Sequence, residues 1–215
     1  MTDFAAARRN MVDGQVRTAD VTDARILSAM FEVPREAFLA PAQTGLAYLD
    51  LDVPLGGGRC LMKPMVLAKL VQAAEIASTE RVLDVGCATG YAAAVLARVA
   101  GQVVALEQDA GLTQRASAWL ASQPNVKVES GPLTAGWAPG GPYDAILLEG
   151  AVELVPELLL RQLKDGGRLV CVLGAGPAAK ATIYYRSGDD IGSRTLFDAA
   201  AAMLPGFVKP PEFAF

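Results

Sequence analysis

Short apolar runs alternate with helical segments through the middle of this chain, and this alternation limits the fold more than any other feature. Each run is five to eight residues long and contains Val, Ile or Leu at most of its core positions, as buried strands do. The five runs are RVLDVG (81–86), QVVALE (102–107), VKVES (126–130), YDAILLE (143–149) and GRLVCVLG (167–174). Strands that alternate with helices predict an α/β fold with a mainly parallel sheet.

The two ends of the chain depart from this alternation. Residues 1–42 have the pattern of two helices, with Thr22 as the expected N-cap of the second, and residues 43–60 read as irregular. Near the other end, KATIYYR (180–186) and GSRTLFD (192–198) are separated by a short turn, which predicts an antiparallel hairpin at the sheet edge. The chain ends in a proline-rich, aromatic tail whose conformation the sequence leaves open.

The length of 215 residues and the hydrophobic fraction of 52% fit one globular domain with a sizeable core. We therefore expect a single domain over residues 1–215. Its parts would be N-terminal helices and a loop in 1–60, a cofactor-binding core in 61–175, and the C-terminal hairpin and tail in 176–215.

Bulk properties exclude several classes of function. The formal net charge is −4, so we expect no basic surface of the kind that grips nucleic acid. No apolar run is long enough to cross a bilayer and the charged N-terminus is unlike a signal peptide, so we expect a cytoplasmic protein without a membrane partner. The chain has no histidine, and Cys60, Cys87 and Cys171 lack metal-type spacing. We therefore expect reduced thiols and no metal site.

The segment LDVGCATGY (83–91), between an expected strand and an expected helix, carries the main signal for a ligand. Gly86 and Gly90 allow a tight turn and a close approach of the backbone to a ligand at the N-terminus of the next helix. Glu107 ends the following strand about twenty residues on, where an acidic side chain can bind ribose hydroxyls. The spacing matches neither G-x-G-x-x-G nor G-x-x-x-x-G-K-[ST], so it indicates a nucleotide-type ligand, with NAD disfavoured and an ATPase phosphate loop excluded.

This glycine segment resembles the D-x-G-x-G-x-G loop of S-adenosylmethionine-dependent methyltransferases, with Ala88 in place of the middle glycine. Three further segments resemble the family of protein-L-isoaspartate O-methyltransferases, and the resemblance covers most of residues 8–175. They are MVDGQVRTADVTDARILSAMFEVPREAFLAP (11–41), AYLDLDVPLGGG (47–58) and PYDAILLEGAVELVPELLLRQLKDGGRLVCVLG (142–174). The resemblance implies a Rossmann-like methyltransferase fold with a mainly parallel seven-stranded sheet. It also implies S-adenosylmethionine as methyl donor and an isomerised aspartyl carboxylate of a protein or peptide as acceptor.

The same resemblance implies where the cofactor would bind. The glycine loop would shape the backbone around it, Glu107 would hold its ribose, and four other residues would flank its adenine. The loop positions are Asp84, Gly86, Cys87 and Gly90, and the adenine positions are Leu106, Gln108, Pro132 and Leu133. Where the family commonly has G-D-G, this chain has GPL, so Pro132 removes a carboxylate and a backbone donor near the adenine.

The loop GGGRCLMKPM (56–65) departs from the family where the reaction would take place. The family loop usually reads G-x-G-Q-T-I-S-x-P-[YH] and lies over the donor methyl group, and its Ser is treated as the active-site hydroxyl. Here Cys60 stands at the Thr position and Met62 at the Ser position, and methionine donates no hydrogen bond. Glu149 follows the fourth strand, where the family tends to have small neutral residues, and the carboxyl ends of parallel strands form the site in such sheets. Cys60, Met62 and Glu149 are therefore the candidate catalytic residues.

These departures leave three functions open. An isoaspartyl carboxylate is already ionised at pH 7 and needs no base, so its methylation is compatible with a chain that lacks histidine. Glu149 would repel such a carboxylate and would suit an amine or hydroxyl acceptor, unless it only bonds local backbone or a neighbouring cation. The third possibility is a protein that binds S-adenosylmethionine without catalysis. We expect Arg59 to be a solvated loop cation, and the oligomeric state stays open.

Overall fold

The computed structural model describes residues 3–209, and its regular elements follow the expected order. The helices are α1 (Phe4–Met11), α2 (Ala24–Glu32), α3 (Pro64–Ala73), α4 (Tyr91–Leu96), α5 (Ala110–Leu120) and α6 (Glu157–Leu160). The strands are β1 (Val53–Gly56), β2 (Arg59–Leu61), β3 (Arg81–Val85), β4 (Gln102–Glu107), β5 (Val126–Ser130), β6 (Tyr143–Val152), β7 (Leu163–Leu173), β8 (Lys180–Ser187) and β9 (Asp190–Asp198).

Seven of these strands form one sheet in the order β5-β4-β3-β6-β7-β8-β9. The pairs from β5 to β7 are all parallel, and β7–β8 and β8–β9 are antiparallel. The predicted fold class is therefore confirmed: a mainly parallel seven-stranded sheet with a C-terminal antiparallel hairpin and N-terminal helices. Strands β1 and β2 form a separate two-stranded hairpin.

The central strands are buried on both faces, because helices and loops cover the sheet from both sides. Val82, Val103 and Ala105 belong to the core cluster that contains residues of α1 to α5. Leu83 and Leu106 alternate with them and pack in a second cluster on the other face, together with residues of α6 and of the C-terminal segment. No helix within residues 3–209 is long and apolar enough to cross a membrane.

Local expectations for the N-terminal region were wrong in two respects. The expected N-cap was Thr22, but the Asp23 side chain accepts the hydrogen bond that begins α2, from the backbone N–H of Arg25 at 2.8 Å. The stretch expected to be irregular contains a 3-10 turn at Pro41–Leu46 and the β1–β2 hairpin. Glycines 56 to 58 all have positive φ, and this left-handed backbone forms the hairpin turn.

Candidate active site

Three acidic side chains meet at the carboxyl ends of neighbouring parallel strands. The register pairs Val85 of β3 with Leu106 of β4 on one side and with Leu148 of β6 on the other. Glu107 directly follows Leu106 and Glu149 directly follows Leu148, so both acids lie beside the start of the glycine loop. Asp84 and Glu107 are fully buried and Glu149 is 3% exposed, which makes this a concentrated group of carboxyls within the fold.

The glycine loop that follows β3 turns tightly against β4. Gly86, Ala88 and Gly90 all have positive φ, at 79°, 51° and 95°. Ala88 adopts a conformation that side chains other than glycine seldom take, which explains why a glycine usually stands there. The N–H groups of Gly86 and Cys87 donate to the carbonyl of Leu106, at 2.8 and 3.1 Å. The Cys87 side chain is buried and burial raises the pKa of its thiol well above the usual range, so it contributes packing.

Glu107, the residue predicted to hold a ribose, is bonded on both oxygens. Its Oε1 accepts from the backbone N–H of Gln108 at 2.8 Å and of Asp109 at 3.2 Å. Its Oε2 accepts from the backbone N–H of Ala88 at 2.9 Å and from the Arg59 guanidinium at 3.2 Å. The backbone bonds fix the carboxylate at the strand end, and the Arg59 bond is the one a competing ligand could replace.

The expectation that Arg59 is solvated was wrong, because the side chain is only 2% exposed. The β1–β2 hairpin folds over the strand ends and directs the guanidinium between Glu107 and the glycine loop. A second donor contact runs from Arg59 Nη2 to the carbonyl of Gly86. A Cβ on Gly86 would lie 2.7 Å from that nitrogen, so glycine at this position also makes room for the guanidinium.

A segment after the last strand closes the site from another side. The N–H of Ala151 donates to the Ala202 carbonyl at 2.7 Å, and the N–H of Leu204 donates to the Ala151 carbonyl at 2.8 Å. Leu204 is fully buried, and a Cβ on Gly150 would lie 2.7 Å from its Cγ. The segment 199–207 therefore packs against the end of β6 and fills space beside the glycine loop. The proline-rich tail beyond residue 209 lies outside the described residues.

Asp84 and Glu149 are two neighbouring buried carboxyls, and no cation within residues 3–209 is bonded to either. Neither Asp84 oxygen, nor Oε1 of Glu149, has a hydrogen-bond donor among its described neighbours. Burial raises the pKa of Asp84 to about 7, and burial together with the adjacent Asp84 raises the pKa of Glu149 well above its ordinary value. The two carboxyls are close enough to affect each other's pKa, and two adjacent buried carboxyls favour a proton on one of them.

The other two candidate catalytic residues lie beside Glu149. Cys60, Met62 and Glu149 line a small cavity of about 10 Å³, together with Asp52 and three small residues. A hydrogen bond fixes the backbone of Met62, because Arg35 Nη2 donates to its carbonyl at 2.7 Å. Burial, and then the nearby Asp52 charge, raise the pKa of the Cys60 thiol, so the thiolate form is disfavoured there.

The predicted adenine positions divide by exposure. Leu106 and Leu133 are buried, whereas Gln108 and Pro132 are exposed. A Cβ on Gly131, at the end of β5, would lie 3.4 Å from the ring of the half-buried Trp137. These positions give an apolar and aromatic wall at the end of β4 and β5.

Several residues of the site were missed by the sequence reasoning. They are the buried Arg59, Asp52 beside Glu149, and Leu204. Three successive glycines before Arg59 signal a hairpin that can turn a side chain inward, but nothing in the local pattern around Leu204 connects it with strand β6.

A mostly parallel sheet, a glycine loop after its central strand and an acid at the end of the next strand define the class of nucleotide-binding methyltransferase folds. The family model described as protein-L-isoaspartate(D-aspartate) O-methyltransferase matches residues 6–197, and the chain belongs to this family. Members of this family are S-adenosylmethionine-dependent methyltransferases.

Individual relatives agree with this assignment. Protein-L-isoaspartate O-methyltransferase 1 of Rhodopseudomonas palustris (strain HaA2) is 40% identical over 95% of this chain and 85% of its own length. The protein-L-isoaspartate O-methyltransferase of Roseiflexus sp. (strain RS-1) is 38% identical over 95% of this chain and 94% of its own.

Two solved structures are also similar. One protein-L-isoaspartate O-methyltransferase has a TM-score of 0.79 and 25% identity; the match covers 93% of this chain and 66% of the other, about two thirds of its length. A Plasmodium falciparum structure, described as such an enzyme in complex with S-adenosyl-L-homocysteine, has a TM-score of 0.76. Its identity is 17%, over 95% of this chain and 99% of the other, so it supports the fold alone.

Proposed function

We propose that this protein transfers a methyl group from S-adenosylmethionine to the free carboxyl of an isoaspartyl residue in a protein or peptide. The observation that carries the proposal is that a chain of this family keeps the glycine loop and a fully buried Glu107 together at the carboxyl ends of β3 and β4. That position is the ligand-binding edge of parallel sheets in general.

The residues at this edge fit the cofactor chemically. Glu107 Oε2 would accept from ribose hydroxyls, and the unpartnered Asp84 carboxyl suits the positive charges that the cofactor carries. The backbone of Gly86 to Gly90 would border the methionine part. Leu106 and Leu133, with Gln108 and Pro132 at the exposed side, would flank the adenine. The ring of Trp137 adds to this wall.

Arg59 and Leu204 hold the space that such a ligand needs, so both would shift when it binds. Arg59 would give up its bond to Glu107 and keep its bond to the Gly86 carbonyl, and the segment 199–207 would move away from Gly86. The backbone N–H bonds of Glu107 do not depend on Arg59, so the carboxylate stays aimed at the ribose position throughout.

When bound, the cofactor supplies an electrophilic methyl group on a positively charged sulfur. The chain would position the acceptor and exclude water from the reacting atoms. It need not supply a base, because an isoaspartyl carboxylate is already a nucleophile at neutral pH. Met62 and Cys60 would cover the reacting centre with apolar and weakly polar surface. Arg35 would keep this cover in place through its bond to the Met62 carbonyl.

A second candidate is methylation of an amine. Asp52 and Glu149 both line the small cavity beside Met62, and none of the described lining residues is a cation. If both side chains were ionised, they would favour a positively charged acceptor over a carboxylate.

We also infer that the protein acts in the cytoplasm on protein or peptide substrates. Its three cysteines are free, as is usual in a reducing compartment.

The experiment that tests the proposal is transfer of tritiated methyl from S-adenosylmethionine to an isoaspartyl peptide, with the matching aspartyl peptide as control. We expect label on the isoaspartyl peptide alone. Glu107→Ala should reduce the transfer, whereas Glu157→Gln, a change of an acid that is 74% exposed on α6, should not. Equal labelling of both peptides, or no labelling of either, would refute the proposal.

A further inference from the structure

Glu149 lies where an acceptor would approach, and its environment is unusual for a carboxylate. It is 3% exposed, its Oε1 has no hydrogen-bond donor among the described residues, and it borders the cavity that Met62 also lines. The acid beside it, Asp84, is fully buried, and both of its carboxyl oxygens also lack a hydrogen-bond partner among the described residues. Two buried carboxyls side by side resist ionising together, because burial disfavours both charged forms and the first negative charge opposes the second. The nearby Arg59 charge offsets this only in part.

We propose that Glu149 is a neutral carboxylic acid in the working enzyme, and that its O–H donates a hydrogen bond to one oxygen of the acceptor carboxylate. The inference rests on the proposed isoaspartyl activity and gives that activity a positioning donor that the methionine loop lacks.

The chemistry balances without a base. The free oxygen of the acceptor carboxylate forms a bond to the methyl carbon while the bond from that carbon to the donor sulfur breaks. The products are the methyl ester and the neutral thioether, and the Glu149 proton stays on Glu149. A hydrogen bond to the second carboxylate oxygen fixes the direction of attack, and direction is a large part of catalysis in such a transfer.

The charges around Glu149 favour a proton on it. The titratable groups that face it come from several elements: Asp84 of β3, Arg59 and Cys60 of β2, Glu107 of β4, Cys87 of the glycine loop, Asp52 before β1 and Arg35. The segment 199–204 that covers it, AAAAML, has no titratable side chain. The Arg59 guanidinium is bonded to Glu107 and to the Gly86 carbonyl, and no cation within residues 3–209 is hydrogen bonded to Asp84 or Glu149.

The protonation of Glu149 makes the rate of methyl transfer depend on pH. Burial raises the pKa of Glu149, and the nearby Asp84 raises it further. The donor is present while pH stays below that raised pKa and is lost as pH rises through it. Methyl transfer by the wild type should therefore decline on the alkaline side.

The test compares Glu149→Gln with Glu149→Ala in methyl transfer to an isoaspartyl peptide across pH. Gln is neutral and keeps an N–H donor of similar reach, so we expect kcat/KM within about threefold of wild type and no alkaline decline. The Ala variant should lose about ten- to a hundredfold, the range of one hydrogen bond to a charged group. Adding Met62→Ser to the Ala variant should recover part of the loss, which a structural role of Glu149 would not allow.

A second readout does not use activity. Infrared spectra of the wild type at neutral pH should show a protonated, deuterium-sensitive carboxyl band that Glu149→Gln lacks and Glu157→Gln keeps. Suppose that wild type methylates the isoaspartyl peptide. If the Gln variant is then as impaired as the Ala variant, or if wild type lacks the carboxyl band, the role of Glu149 is refuted and the proposed function stands. If wild type does not methylate the peptide, the proposed function falls and this inference falls with it.

Discussion

Replacing Arg59 by Gln removes the guanidinium that is bonded to Glu107 and leaves the other buried acids in place. The ion pair is almost completely excluded from solvent, with side chains 2% and 0% exposed at a separation of 3.2 Å. Removing one partner of such a pair leaves an uncompensated buried charge, at a cost of about 3–5 kcal/mol. For a domain of this size each kcal/mol corresponds to about 2–4 °C in Tm, so the melting temperature should fall by about 6–20 °C.

The same substitution should have the opposite effect on ligand binding. Arg59 and a ribose hydroxyl would compete for Glu107 Oε2, so the Gln variant should bind S-adenosylhomocysteine more tightly than wild type does. Urea unfolding and isothermal calorimetry measure the two effects separately. Arg161→Gln is the matched control, because the Arg161–Glu157 pair is 72% and 74% exposed and is worth at most about 1 kcal/mol. Unchanged stability together with unchanged affinity would show that Arg59 does not occupy the site in solution.

Three further changes test other parts of the site. Asp84→Asn should stabilise the protein above pH 7 and not below pH 4. The pKa of Asp84 is about 7 in the folded state and 3.8 ordinarily, so wild type loses up to about 4 kcal/mol of its free energy of unfolding as pH rises across that interval. A gain in urea unfolding that is equal at pH 4 and pH 8 would contradict this. Gly150→Ala should destabilise the protein by about 1–3 kcal/mol in thermal unfolding, because the new Cβ would lie 2.7 Å from Leu204 Cγ. Gly192→Ala is the control, because a Cβ on Gly192 would have no atom within 4 Å, and it should lack this effect. Glu107→Ala should weaken S-adenosylhomocysteine binding about tenfold or more in calorimetry, and equal affinity would remove Glu107 from the site.

The sheet and the proximity of the three acids were predictable, because both follow from the alternation of strand and helix patterns and from the common direction of parallel strands. Alternating strand and helix patterns require parallel neighbours, and parallel neighbours place their last residues at one edge. Asp84 and Glu107 lie at the carboxyl ends of β3 and β4, and Glu149 follows Leu148, the last β6 residue paired with β3. Their proximity therefore follows once the strand order is known.

Other features depend on contacts that no local pattern records. The Arg59 side chain points inward because a hairpin folds over the sheet edge, and a glycine-rich loop with a cation reads equally well as a solvated turn. Leu204 reaches the site from far along the chain, through backbone bonds to Ala151. The interpretation of Glu149 changed for the same reason. The sequence indicated a carboxylate that would repel an acceptor carboxylate, but burial beside Asp84 favours a proton on Glu149.

The stability of the transferred methyl group to mild base identifies the atom that accepts it. A methyl ester on a carboxyl group is hydrolysed and releases methanol, whereas a methyl group on nitrogen remains. After reaction of wild type with tritiated S-adenosylmethionine and an isoaspartyl peptide, we expect volatile label to be released on base treatment. Label that stays on the peptide after base treatment would contradict carboxyl methylation and would indicate an amine or hydroxyl acceptor instead.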